Sequence, residues 1–246
     1  MMDDLTRDAF LGGLVQLLQP RVGYRAGVDP VLLAASVPAQ AGQSVLDLGC
    51  GVGAAALCLG ARIAGLSLTG VEMQAEYAQL AARNGGGRLE VVVADLNDLP
   101  ADLRERQFDH VMANPPYFDR KAGLSGQNAA REAALGEATP LAVWIKVAAK
   151  RVKPKGQVHF IHRAERIPQI LEALPDHMGS IEILPISPRI GRAAELVILR
   201  ARKNGRAAFK LHAPLILHEG ARHLRDGDSY APRIKAILRD GTALDF

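Results

Sequence analysis

Asn114, Pro115, Pro116 and Tyr117 stand directly behind an apolar run, Phe108 to Ala113. The run predicts a buried strand, with the tetrapeptide at its C-terminal edge. Proline fixes φ and has no N–H to donate. A Pro-Pro step therefore leaves outward carbonyl oxygens with little freedom to turn away. Asn114 adds a side-chain acceptor, and Tyr117 adds a ring face for stacking. Together they suit a flat group that carries hydrogens on an sp2 nitrogen. The plain alternative is a Pro-Pro turn leaving a strand, with Tyr117 only packing.

A second cluster lies upstream, Asp47-Leu48-Gly49-Cys50-Gly51-Val52-Gly53, between an expected strand and its helix. Glycines there let backbone approach a ligand closely, and a helix N-terminus offers unpaired N–H groups. Glu72 closes the next strand, where a carboxylate can accept from ribose hydroxyls. Asp95 closes the third and can accept from an adenine amino group, with Leu96 beside it to cover the ring. Gly49, Gly51 and Ala54 with Glu72 also fit the dinucleotide fingerprint of a hydride-transferring enzyme. Asp47 weighs against that reading, because an acid before the glycines suits a cationic amino-acid moiety better than a pyrophosphate. The Asn114–Tyr117 acceptors weigh against it too, since hydride transfer has no use for them.

The elements that must position these residues follow from apolar patterning. Strands are expected at 44–48, 66–72, 89–94, 108–113 and 157–162, with helices at 54–64, 75–83, 141–151 and 167–174 and shorter helical matter at 102–106. Strand and helix in alternation predict an α/β fold, a mostly parallel Rossmann-like sheet with helices on both faces. Two last strands, 181–186 and 195–200, lack a helix between them and predict an antiparallel edge hairpin. This makes a seven-stranded sheet. Residues 1–40 are expected to form a small helical appendage on a domain spanning 41–246.

The chain has 246 residues, 48% of them hydrophobic, enough for one large core. No run of eighteen apolar residues appears, and the acidic start Met1-Met2-Asp3-Asp4 has no apolar leader. Cys50 and Cys58 form neither a disulfide framework nor a metal set. A cytoplasmic protein is expected. Net charge is +4, unevenly placed: residues 200–246 hold ten Lys and Arg against five Asp and Glu, while 1–199 hold 20 against 21. The basic end suits phosphate binding or simply a solvated face. Lys150, Arg151, Lys153, Lys155, Arg189 and Arg192 add further candidates, and the stretch 119–137, with Arg131, is a candidate cover for a bound base.

With Asp47, Gly49, Gly51, Glu72, Asp95 and Asn114–Tyr117 in this order, residues 20–200 resemble the Rossmann-like S-adenosylmethionine-dependent methyltransferases. The resemblance implies S-adenosylmethionine as cofactor, with Asp47, Gly49 and Gly51 along its methionine portion, Glu72 on the ribose, and Asp95 and Leu96 on the adenine. A narrower likeness lies at 23–34, Gly-Tyr-Arg-Ala-Gly-Val-Asp-Pro-Val-Leu-Leu-Ala, which is similar to a segment of the bacterial tRNA(Val) adenine-N6-methyltransferases. Pro30 stands where Ala is usual, and Cys50 where Thr is. That likeness implies methylation of an anticodon-loop adenine in tRNA, and it adds Arg25 and Asp29 to the cofactor side of the site. A surface ion pair, or a helix cap by Asp29, is the plain reading of those two. His110 reads as core or surface, Trp144 as core, and Cys50 as a small hydrophobe. Three rival acceptors share the chemistry: a release-factor glutamine, a ribosomal RNA amino group and a DNA adenine. A non-catalytic cofactor-binding protein is the rival from another class.

Overall fold

The computed structural model describes residues 4–117, 139–220 and 229–246. Short apolar runs make the sheet strands, the inner ones buried on both faces: β3 (Ser44–Leu48), β4 (Ser67–Glu72), β5 (Leu89–Val93), β6 (Phe108–Ala113), β7 (Val152–Arg163), β8 (Met178–Ser187) and β9 (Leu196–Lys203). Between them run α2 (Ala54–Arg62), α3 (Ala75–Gly85), α4 (Ala101–Glu105), α5 (Leu141–Arg151) and α6 (Ile167–Ala173). The sheet order is β5-β4-β3-β6-β7-β9-β8, and two two-residue strands, β10 (Lys210–Leu211) and β11 (Leu215–Ile216), both pair with β8. β3 to β7 are parallel, and β9 lies antiparallel between β7 and β8. The expected parallel sheet with an antiparallel hairpin is therefore present.

Successive residues of a strand face opposite sides, and the core divides accordingly. Val45, Met112, Ile161 and Ile198 pack with α1 (Asp29–Ser36), α2, α3 and the C-terminal α7 (Pro232–Asp240). Leu46, Val111, Phe160 and Leu199 pack on the other face with α4, α5 and α6. The chain leaves β3 toward β4 and β5, then crosses back to lay β6 on the opposite side. A crevice opens at such a reversal, outside the C-terminal strand ends. Register brings Leu48 beside both Val71 and Ala113, so the glycine loop, Glu72 and Asn114 leave the sheet at one rim.

Residues 4–40 correct an expectation. They hold an antiparallel hairpin, β1 (Leu5–Phe10) and β2 (Val15–Pro20), before α1, instead of a helical appendage. Gly12 and Gly13 lie at φ of 62° and 101°, a turn that a helix interior does not accommodate. Val15, Leu17 and Gln19 are buried while Gln16 is exposed, a period of two. Leu11, Val15 and Leu17 join the same core as α1, α2 and α7.

Candidate active site

One cavity of about 340 Å³ occupies the crevice, lined on its floor by Asp47, Gly49, Gly51 and Glu72 and at its mouth by Asn114, Pro115, Pro116 and Tyr117. Asp47, next to last in β3, is 3% exposed. Its Oδ2 has no hydrogen-bond partner among the described residues. Burial pushes its carboxyl from 3.8 up to about 7, opposed by the Ala56 N–H at the start of α2 and reinforced by Glu72. A buried acceptor left in that condition calls for a cation or a donor from outside the chain.

Glu72 receives the Gly51 N–H at 3.0 Å and the Gln74 N–H at 2.9 Å, so its carboxylate is aimed by backbone on both sides. Burial raises its pKa above the usual carboxylate range, while those N–H groups pull it down. Gly49 lies at φ +65°, and a Cβ there would stand 2.3 Å from Trp144 Cη2. The glycine thus serves two needs, the left-handed turn and the indole beneath it. Trp144, expected as plain core, is 8% exposed and also lines the cavity, with its N–H on the Thr139 carbonyl at 3.2 Å. Leu96 and Ala94 form part of the wall. Asp95 is not among the lining residues, and its Oδ1 accepts from the backbone and side chain of Asn97 at 2.8 and 3.0 Å.

At the mouth, Asn114 Nδ2 donates to the Tyr24 hydroxyl at 3.4 Å, which leaves its Oδ1 as the acceptor. Tyr117 donates its hydroxyl to Asp29 at 2.5 Å. Burial and the Asp29 carboxylate both push the Tyr117 pKa far up, so the phenol stays neutral. Asp29 opens α1 without capping it. Its carboxylate holds the aromatic of the tetrapeptide. Arg25 lines the cavity, yet its guanidinium is engaged by Asp8 at 2.6 Å, Thr6 at 2.8 Å and the Pro20 carbonyl at 2.9 Å. It fastens the hairpin to the 23–28 segment.

Residues outside the sequence-based set complete the site. Tyr77 receives the Tyr24 N–H at 2.9 Å and donates to the Tyr24 carbonyl at 3.2 Å, pinning that segment over the cavity. His162, at the end of β7, is fully buried and stands edge-on to the Tyr117 ring, 5.3 Å between centroids. Its Nδ1 accepts the Arg163 N–H at 2.9 Å, and the Pro116 carbonyl faces the ring without a well-formed bond to Nε2. Burial, aided by Arg166, pushes His162 down to about 4, so it is neutral at pH 7. The Gly-Tyr pair at 23–24 was the available signal for Tyr24; nothing in the sequence singled out His162. His110 belongs elsewhere, buried against His159 at 3.2 Å and Gln43 at 3.2 Å.

Topology divides the basic residues. Lys150, Arg151, Lys153 and Lys155 lie where α5 enters β7, at the N-terminal rim, away from Asn114. Arg151 donates to the Leu103 and Arg106 carbonyls, both at 3.1 Å, and Lys153 pairs with Asp109 at 2.9 Å. β9 runs antiparallel, so Arg200, Arg202 and Lys203 also approach that far rim. Arg200 pairs with Glu182 at 3.1 Å and stacks on Phe246 at 4.4 Å. Arg189 and Arg192, in the link after β8, lie on the site's own rim, with Arg189 held by Ser229. Phe118, the 119–137 stretch, Arg222 and Arg225 lie outside the described residues.

The methyltransferase small domain family matches residues 25–184. A protein of Actinobacillus succinogenes named tRNA1(Val) (adenine(37)-N6)-methyltransferase is 30% identical over 190 residues, covering 74% of this chain and 78% of that one. A protein of the same name from Glaesserella parasuis is 26% identical over 82% of this chain and 86% of its own length. A crystal structure from Agrobacterium tumefaciens, described as a predicted O-methyltransferase, superposes with a TM-score of 0.72 at 28% identity, over 89% of this chain and 99% of that one.

Proposed function

Because this chain belongs to the methyltransferase small domain family, with S-adenosylmethionine as its cofactor, we propose that it methylates the exocyclic N6 amine of an adenine in tRNA, at the anticodon loop. The observation that carries the reading is one cavity joining the orphaned Asp47 carboxylate to the Asn114–Tyr117 acceptors. The residues present fit the cofactor. The buried Oδ2 of Asp47 suits its cationic amino-acid end, Glu72 its ribose, and the wall of Ala94 and Leu96 its adenine. When bound, the cofactor supplies an electrophilic methyl group on sulfur.

The protein's own part is positioning. An adenine amine is a poor nucleophile because its lone pair is delocalised into the ring. Asn114 Oδ1 and the Pro115 carbonyl accept its two N–H groups and draw the nitrogen toward tetrahedral geometry. Preorganised acceptors of this kind need no rearrangement during reaction. Tyr117, locked by Asp29 and braced by His162, offers its ring to the base. A neutral phenol and a neutral His162 supply no strong base, and none is needed, since the product ammonium is acidic. The target must leave its stack to enter, at a cost of a few kcal/mol that is least in a loop.

An oxygen acceptor fits this platform less well, because a hydroxyl has one hydrogen for two acceptors. The names of the two tRNA-modifying relatives favour adenine over glutamine, and a tRNA substrate would place the protein in the cytoplasm. The test is to incubate the protein with labelled S-adenosylmethionine and, separately, bacterial tRNA, ribosomal RNA, DNA or release factor. Label in the tRNA fraction is expected. Label confined to another fraction would reassign the acceptor.

A further inference from the structure

A second, smaller cavity of about 140 Å³ shares Asp29 and Tyr117 with the first and is otherwise lined by Arg163, Ile186, Pro188, Glu195, Leu196 and Leu217. The Tyr117–Asp29 hydrogen bond is thus a partition with the acceptor platform on one side and this cavity on the other. Its walls come from the ends of β7 and β8, the start of β9 and the segment after β11, all on the rim that carries Asn114. Ile186, Pro188, Leu196 and Leu217 give it an apolar side, facing Asp29, Tyr117, Glu195 and one cation, Arg163, which needs an account. It is half-buried, and among the described residues its guanidinium has no ion pair or hydrogen bond, although its charge acts on the Tyr117 hydroxyl. Most other arginines near the sheet are committed: Arg25 to Asp8, Arg106 to Glu90, Arg200 to Glu182 and Arg151 to three carbonyls. Arg192 lies exposed in the adjoining loop, a second cation on the same rim.

We propose that this cavity is a subsite for the nucleotide next to the target adenine in the RNA strand, with Arg163 on its phosphate and Ile186, Pro188, Leu196 and Leu217 around its base. The inference rests on the RNA reading above. A strand that delivers one base to the Asn114 side must place its neighbour one backbone step away, across the Tyr117–Asp29 partition. An unpaired guanidinium over an apolar slot matches what such a neighbour presents, an anionic linkage and a flat ring. Glu195, also at the lining, accepts from an amino-bearing base edge and gives the subsite a means of preferring one.

The experiment measures methyl transfer to unfractionated bacterial tRNA by the parent protein, Arg163→Ala and Leu217→Phe, with cofactor affinity by calorimetry. Arg163→Ala should raise KM for tRNA about tenfold or more and reduce the slope of log affinity against log salt by about 0.7. Its kcat and cofactor affinity should stay within a factor of about two. Leu217→Phe, which fills the slot without altering charge, should raise KM without changing the slope. If Arg163→Ala loses cofactor affinity, its fold is suspect and Leu217→Phe carries the test. Unchanged KM and slope, or a fall in kcat alone, would overturn the subsite and leave tRNA methylation standing. A parent protein that transfers no label to tRNA would overturn both.

Discussion

Replacing Asp47 by Asn should make the unliganded protein more stable and at the same time unable to hold its cofactor. Asp47 is buried near the end of β3, and desolvation pushes its carboxyl from 3.8 to about 7. A rise of that size corresponds to up to ~4 kcal/mol that the folded, ionised state gives up at pH 8. The direction follows from proton binding. The folded protein holds this proton more tightly than the unfolded chain, so the contribution is intact below about pH 4 and is lost as pH rises through about 7. An amide has no charge to desolvate. Asp47→Asn should therefore exceed the parent by up to ~4 kcal/mol in urea unfolding at pH 8, and by only ~2 kcal/mol at pH 5. S-Adenosylmethionine should raise the parent's melting temperature at pH 8 and leave the variant's unchanged. Parent affinity for the cofactor should weaken about tenfold per pH unit below about 7. A variant less stable than the parent at pH 8, or a gap that ignores pH, would refute the assignment of a destabilised carboxylate waiting for a cation.

Other outcomes follow from single contacts. Gly49→Ala sets a methyl 2.3 Å from Trp144 Cη2 at a φ of +65°; calorimetry should show cofactor binding lost, and urea unfolding a loss of ~2 kcal/mol or more. Tyr117→Phe removes the 2.5 Å bond to Asp29 and should lower kcat about tenfold with cofactor affinity kept; an unchanged kcat would show that the bond does not set the ring. Lys150→Glu reverses a charge on the far rim and should leave KM for tRNA within about twofold at moderate salt. A tenfold rise there would place RNA on the wrong side of the sheet.

The central sheet was legible because its inner strands are near-continuous apolar runs, buried on both faces, and its helices carry their own stops. The sequence alone assigns Asp47, Glu72 and Asn114 each to the neighbourhood of a strand end. Their convergence follows from parallel register, which the alternation of strand and helix implies. The N-terminal hairpin was misread because β1 and β2 are only half apolar; the Gly12-Gly13 turn carried the signal. Partnerships across the fold were not legible. Asp29 with Tyr117 and Arg25 with Asp8 join residues 88 and 17 positions apart. His162 sits in an apolar run like any core residue, and only the path of β7 beside β6 brings it behind Pro116. Charge counts carry no direction in the same way: β9 takes Arg200, Arg202 and Lys203 toward the far rim, which composition does not reveal.

The account stands most directly on what Asn114 does. Nucleoside analysis of tRNA after incubation with S-adenosylmethionine should reveal N6-methyladenosine with the parent protein. With Asn114→Ala the rate should fall by about 10²- to 10³-fold while cofactor affinity stays within about twofold. A variant that forms the same product at the parental rate would contradict the role given to the acceptor platform.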